Sequence, residues 1–75
     1  MEIVLNGQNR ALDLAPAAAT VESLVQALGM KADRVAVERN GEIARRADWA
    51  AIPVREGDRF EIVHFVGGGA GPATR

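Results

Sequence analysis

Two Asn-Gly dipeptides, Asn6-Gly7 and Asn40-Gly41, constrain the fold of this chain more than any other feature. Both residue types tolerate the positive φ angles of a two-residue turn, so each dipeptide predicts a tight β-hairpin. The alternation of apolar and polar residues on either side of each turn is typical of strands. The expected strand pairs are residues 2–6 with 10–14, and residues 35–39 with 42–43.

One helix is predicted between the two hairpins. Thr20 is a suitable N-cap, since its hydroxyl can accept a hydrogen bond from an amide of the first turn. Apolar residues then follow at the spacing of a single helical face, over about ten residues. Gly29 supplies the left-handed residue that ends a helix. The apolar positions are Val21, Leu24, Val25 and Leu28.

A final strand is predicted over residues 59–65, after a turn at Glu56-Gly57-Asp58. Phe60 and Ile62 are expected to face the helix, whereas Val63 and Phe65 fall on the other face and form an apolar patch if they are exposed. The first and last strands are the most apolar, which places them in the middle of a sheet. These elements predict a two-layer α+β domain, with a mixed sheet and one helix packed on one face.

Smaller features complete the predicted domain. Residues 47–49 are expected to form a short helical turn that brings Trp49 into the core, because so small a domain needs its large apolar side chains inside. Residues 52–54 are expected to be a brief edge segment. The acidic residues Glu56, Asp58 and Glu61 are open to two interpretations, as contacts for a basic partner or as ordinary solubilising surface.

Composition excludes several classes of function. The 75 residues contain no cysteine and one histidine, so a thiolate or His-rich metal site and a cysteine nucleophile are excluded. A formal net charge of -1 argues against a nucleic-acid binder. No basic segment precedes an apolar run at the N-terminus, and no apolar stretch approaches the ~20 residues that span a bilayer. A cytoplasmic protein with no membrane contact is therefore expected.

A triple glycine follows the last predicted strand. Residues 67–75 contain four glycines and one proline with little apolar content, so a flexible tail is expected after a folded domain of residues 1–66. Glycine is a poor choice for a core but suits a thin arm that enters the narrow site of another protein. The function is therefore expected to lie at the end of the chain rather than in a pocket.

The predicted order of strands and helix, followed by a glycine run, resembles the β-grasp (ubiquitin-like) fold. Within that fold it resembles the ThiS sulfur-carrier family of thiamine biosynthesis. The resemblance covers residues 1 to about 69 and rests on the order and spacing of several short blocks, since no single block is specific. The blocks are Leu5-Asn6-Gly7, Thr20-Val21-Glu22-Ser23-Leu24, Val37-Glu38-Arg39-Asn40-Gly41-Glu42-Ile43, Trp49, Glu56-Gly57-Asp58-Arg59 and residues 61–69.

The resemblance implies a carrier rather than an enzyme, with no bound cofactor. In such carriers an E1-like adenylyltransferase (ThiF-type) uses ATP to adenylate the C-terminal glycine carboxylate. Sulfur, indirectly from a cysteine desulfurase, then replaces AMP, and the thiocarboxylate delivers sulfide to a thiazole synthase (ThiG-type). Gly68 and Gly69 match the terminal diglycine, and Gly69 matches the modified residue. The residues expected to contact partners are Val63, Phe65, Val66 and Gly67.

The chain departs from this pattern after Gly69, because residues 70–75 follow it and an internal peptide bond cannot be adenylated as a carboxylate. Three explanations are open: a C-terminal processing protease removes the tail, the chain is a divergent relative that no longer carries sulfur, or it is a variant that only binds partners. Removal is the hypothesis preferred here, because the glycines otherwise have little reason to be present.

Three other functions are open. A sulfur carrier for molybdopterin synthase would have the same fold and tail chemistry. A non-conjugating β-grasp module would bind a protein or RNA through its sheet, although the net charge counts against RNA. A stand-alone enzyme is the least favoured, because the chain has neither paired histidines nor a Walker-type phosphate loop. His64 has no partner in view and is expected to be a half-exposed residue at a strand end.

Overall fold

The computed structural model describes residues 1–65 of the chain. Five strands and one α-helix form two layers, with the sheet on one side and the helix packed against it. Two short 3-10 helices, over Ala32–Arg34 and Arg46–Ala51, connect them. The main elements are β1 (Glu2–Leu5), β2 (Gln8–Ala11), α1 (Val21–Ala27), β3 (Val35–Arg39), β4 (Glu42–Ala44) and β5 (Arg59–His64).

The sheet order is β2-β1-β5-β3-β4, so the last strand lies in the centre. β1 and β5 run parallel, with Leu5 opposite Phe60, whereas the remaining neighbours are antiparallel. This arrangement confirms the predicted α+β class with a mixed sheet. It also confirms that the two most apolar strands, β1 and β5, lie inside the sheet.

Both hairpin turns form where the Asn-Gly dipeptides predict them. Asn6 and Asn40 each have a φ of 50°, and the glycines that follow have φ angles of 82° and 87°. The returning strand of the first hairpin differs from the prediction, because β2 spans Gln8–Ala11 rather than residues 10–14. A two-residue turn starts the pairing at once at Gln8, and the alternating residues Leu12 and Leu14 pack against the core from outside the strand.

The helix begins as predicted and ends earlier. The Thr20 hydroxyl accepts a hydrogen bond from the Ser23 amide at 3.2 Å, and the Ser23 hydroxyl accepts one from the Thr20 amide at 2.8 Å, which forms a capping box. The helix then spans seven residues rather than about ten. Gly29, with a φ of 74°, reverses the chain there and confirms the predicted stop.

The core lies between α1 and the sheet. Phe60 and Ile62 are buried on the face that α1 covers, as predicted, and full burial of a phenylalanine contributes about 1.5–3 kcal/mol. Trp49 is also buried, and its indole nitrogen donates to the Ala44 carbonyl at 2.7 Å. The other fully buried large side chains are Ile3, Leu24, Val21, Val25, Val37 and Val54.

Residues 52–54 do not extend the sheet. Pro53 forms an isolated bridge with Thr20, and the Ile52 carbonyl accepts a hydrogen bond from the Val21 amide at 2.9 Å. The Val54 amide donates to the Ala19 carbonyl at 3.0 Å. The predicted edge segment is therefore paired with the chain that enters α1, which holds the start of the helix in place.

Candidate functional site

Apolar side chains are exposed around the end of β5, and Val63 lies on the face of the sheet that α1 does not cover, called the open face below. Val63 is 58% exposed and lies opposite Ala36 of β3. Phe65 follows one residue after β5 and is 59% exposed. Ile43 of β4, 70% exposed, lies on the same face. Val63 and Phe65 are therefore both exposed, as the predicted apolar patch requires. Contact between these two residues and a partner stays a prediction.

Two acidic residues divide this apolar surface. Glu38 and Glu61 are opposite each other in the β3–β5 register, and Ile43 lies opposite Glu38 on the other side. Like charges in directly opposed positions destabilise a sheet. Within residues 1–65, neither carboxylate forms an ion pair. The open face is therefore mixed in character, apolar toward the end of β5 and acidic near its middle.

Hydrogen bonds fix the strand from which the glycine segment continues. The amide side chain of Asn6 pairs with the backbone of Ile62, accepting from its N–H at 2.8 Å and donating to its carbonyl at 3.2 Å. At the start of β5, the Asn40 side chain accepts from the Arg59 amide at 2.9 Å. The Phe65 amide donates to the Arg34 carbonyl at 2.8 Å. Any segment that follows Phe65 therefore begins from a fixed point.

Asp58 is a structural residue. It is therefore neither a contact for a basic partner nor part of an ordinary solubilising surface. Its carboxylate is buried and accepts three hydrogen bonds, from Arg39 at 3.1 Å, Asn40 at 3.1 Å and the Arg55 amide at 2.9 Å. Burial alone raises the pKa of Asp58, but the three hydrogen bonds and the charge of Arg39 outweigh it, and the pKa lies below its usual range. No local sequence signal distinguishes Asp58 from an ordinary turn residue.

A shallow depression lies beside the end of β5. We call it the basic depression; its lining residues are Gly29, Met30, Lys31, Arg34, His64 and Phe65. The loop after α1 forms one wall and the last residues of β5 form the other. Sequence reasoning missed this feature, because Lys31 and Arg34 are about thirty residues from His64 along the chain. The only feature of the local sequence that marks this region is Gly29, which ends the helix.

The remaining predicted site residues have different outcomes. His64 is exposed at the end of β5, close to its predicted half-exposed state. Val66, Gly67, Gly68 and Gly69 lie outside the described residues. Within residues 1–65, no group of three or more His, Asp or Glu side chains could hold a metal ion. In the same residues no helix is long and apolar enough to cross a membrane.

Comparison with known proteins identifies the family. A family model described as the ThiS family matches residues 3–69, which run from the first strand to the end of the triple glycine. The chain belongs to the ThiS family.

Solved ThiS structures share its fold. The crystal structure of the thiamine biosynthesis protein ThiS from Geobacter metallireducens is 37% identical in sequence, with a TM-score of 0.77, and covers 92% of this chain and all of that one. A solution structure of a thiamine biosynthesis protein from the same organism is 36% identical, also with a TM-score of 0.77, and covers 96% of this chain and 92% of that one. The expected β-grasp fold is thereby confirmed.

The similar curated proteins are much longer than this ThiS-family chain. A thiazole synthase from Paramagnetospirillum magneticum is 44% identical over 73 residues, which are 97% of this chain and 22% of that protein. A thiazole synthase from Magnetococcus marinus is 42% identical over 72 residues, which are 96% of this chain and 21% of that protein. The chain thus spans about a fifth of the length of these relatives.

Proposed function

We propose that this protein is a sulfur carrier for synthesis of the thiazole ring of thiamine, and that it acts through Gly69. The observation that carries the proposal is the extent of the family match, which ends at Gly69 and includes both the domain and the glycine run. The similarity to thiamine biosynthesis proteins at 36–37% identity supports the same pathway. The name thiazole synthase, given to two relatives, favours the thiamine branch over a molybdopterin carrier.

The chemistry requires activation of a carboxylate. A free carboxylate at Gly69 is a poor electrophile until one of its oxygens becomes part of a good leaving group, and acyl adenylation with ATP achieves this. Sulfur at the sulfide level then attacks the acyl carbon, so that a C–S bond forms, the C–O bond to AMP breaks, and a thiocarboxylate remains. The activating partner must enclose the reacting end, because water would hydrolyse the mixed anhydride. The absence of Cβ atoms at Gly68 and Gly69 lets the backbone enter such a narrow channel.

The domain itself contributes binding and position rather than catalysis in this proposal. The central strand β5 precedes residues 66–69, which are called the arm below. Val63 and Phe65 offer exposed apolar surface at the end of this strand. Adenylation is assigned to an E1-like partner of the ThiF type, and use of the sulfur to a thiazole synthase of the ThiG type. Removal of residues 70–75 by a protease precedes adenylation, since only then does Gly69 bear a carboxylate.

Intact-mass measurement tests this proposal. The full chain and a chain that ends at Gly69 are each incubated with an E1-like enzyme, ATP and a sulfur source. We expect a gain of about 16 Da, the replacement of one oxygen by sulfur, on the shorter form alone. A chain that ends at Gly67, without the terminal diglycine, is the matched control and should gain nothing. No gain on the form that ends at Gly69, with an enzyme shown to be active on another carrier, would overturn the proposal.

A further inference from the structure

We propose that the basic depression is a docking site for an acidic, partly apolar surface on the protein that accepts the C-terminal arm. This inference rests on the sulfur-carrier function proposed above and adds a chemical description of the partner. It follows from three properties of the depression, namely its position at the root of the arm, its charge, and its preformed backbone.

The position of the depression places it close to any partner that holds Gly69. Gly69 lies four residues beyond Phe65, and a fully extended chain of four residues spans at most about 14 Å. A protein that encloses Gly69 in an active site must therefore bring its surface close to the end of β5. Because Phe65 and His64 line the depression, it lies within reach of that surface whichever partner holds the arm.

The charge of the depression indicates what that surface contains. Lys31, Arg34 and His64 line it, and no acidic residue does. In the part of the chain that the structure describes, the only ion pair joins Arg39 to Asp58, so Lys31 and Arg34 have no carboxylate partner there. Uncompensated cations at a docking surface attract carboxylates of a partner and accelerate the encounter. The positive charge is local, since the whole chain has a net charge of -1.

Apolar contact accompanies the charge. Met30 is half-buried against the core, and Phe65 is exposed over more than half of its surface. Aromatic and methionine side chains are enriched in protein interfaces. The complementary surface is therefore a protein segment in which Asp or Glu side chains flank an apolar residue. The open face around Glu38 and Glu61 has the opposite charge, so it is not expected to bind the same surface.

The backbone of the depression is held in place before any partner binds. The Met30 amide donates to the Val25 carbonyl at 3.1 Å, and the Arg34 amide donates to the Lys31 carbonyl at 2.9 Å. The Arg34 carbonyl in turn accepts from Phe65 at 2.8 Å. These bonds use the main chain alone. The side chains of Lys31 and Arg34 can therefore be shortened without loss of the contacts that form the walls.

The test compares two double variants of the full chain with equal net charge. K31A/R34A removes two cations from the depression, whereas R10A/R55A removes two exposed arginines, one in β2 and one just before the turn that leads into β5. Binding to a ThiF-type enzyme and to a ThiG-type thiazole synthase is measured at about 0.05 M and 0.5 M salt. We expect K31A/R34A to weaken binding of at least one partner about tenfold at low salt and under threefold at high salt, whereas R10A/R55A binds like the unaltered chain.

The outcomes separate this inference from the function on which it rests. Equal affinity of K31A/R34A and the unaltered chain for both partners would overturn the docking site and leave the sulfur carrier standing. An equal loss of affinity in R10A/R55A would also overturn it, since the effect would then reflect net charge. Charge-dependent binding, together with no gain of sulfur on the chain that ends at Gly69, would support the docking site and refute the carrier. Failure of both the full chain and the chain that ends at Gly69 to bind either partner would overturn both.

Discussion

Asp58 joins three parts of the chain through one carboxylate. Arg39 ends β3, Asn40 begins the second hairpin turn, and Arg55 precedes the turn before β5; each donates one hydrogen bond to Asp58. An unpaired buried carboxylate is strongly unfavourable, so these partners make its burial tolerable. The sequence predicted the turn that contains Asp58 but not the contacts, because two of its three partners lie nearly twenty residues away.

The Asp58→Asn substitution should destabilise the protein by about 1–3 kcal/mol at neutral pH, because the new amide group places a donor where the carboxylate accepts hydrogen bonds. The folded-state pKa of Asp58 is lowered, so its contribution is complete above the unfolded-state pKa of about 3.9 and is lost as the pH falls through the folded value. Urea denaturation from pH 7 to pH 3 should show the stability gap narrowing at the acid end. A gap that stays constant over this range would contradict the assignment.

A single substitution at Phe65 tests whether its exposed side chain contacts a partner. Phe65→Asp should weaken partner binding about tenfold or more, since it places a carboxylate in an apolar contact. Because the side chain is 59% exposed, the free energy of unfolding should change by less than about 0.5 kcal/mol. Titration calorimetry and urea denaturation measure the two effects, and Phe65→Leu is the conservative control that should retain binding. A large loss of stability in Phe65→Asp would identify Phe65 as a core residue.

Each of the two hairpin turns is hydrogen-bonded to the central strand β5 through an asparagine side chain. Asn6 and Asn40 supply the first of the two left-handed residues in each turn, and both use their side chains to hold β5, at Ile62 and at Arg59. The sequence predicted the turns correctly, since two-residue turns depend on local backbone preference. The side-chain bonds depend on strands brought together from distant parts of the chain, so local patterns contain no sign of them.

Replacing each asparagine by glycine separates these two roles. Asn6→Gly and Asn40→Gly keep the positive φ but lose the side-chain hydrogen bonds to β5, and Asn40→Gly also loses the bond to Asp58, so each should destabilise the domain by about 1–2 kcal/mol. Asn9→Ala in the exposed edge strand β2 is the control and should change stability by less than about 0.5 kcal/mol. Unfolding in guanidinium measures all three. Glycine variants as stable as the unaltered chain would show that only the backbone conformation matters.

At the scale of the whole molecule, the two hairpins form one continuous sheet only when the first strand pairs with the last. β1 and β5 are parallel neighbours, with Val4 opposite Arg59. Both strands, their apolar faces and the helix were predictable, because each follows a short-range pattern. The parallel pairing and the order β2-β1-β5-β3-β4 were not, because they require contacts across more than fifty residues. The basic depression was missed for the same reason.

The predicted division into a domain of residues 1–66 and a tail of residues 67–75 can be tested by truncation. Within residues 1–65, the buried core extends no further along the chain than Ile62. A chain that ends at Val66 should therefore have a Tm within about 2 °C of that of the full chain and, unlike the chain that ends at Gly69, should gain no sulfur. Differential scanning calorimetry measures the first effect and intact mass the second. A lower Tm would show that the last nine residues contribute to folding.

The central position of β5 also has a mechanical consequence. In the proposed function, an enzyme that holds the chain beyond Phe65 would load β5 from its C-terminal end, along the strand axis. The hydrogen bonds to β1 and β3 lie across that axis on both sides, so the load falls on them together in shear rather than on one bond at a time. A partner can therefore grip and stretch the arm while the domain stays folded as a rigid anchor.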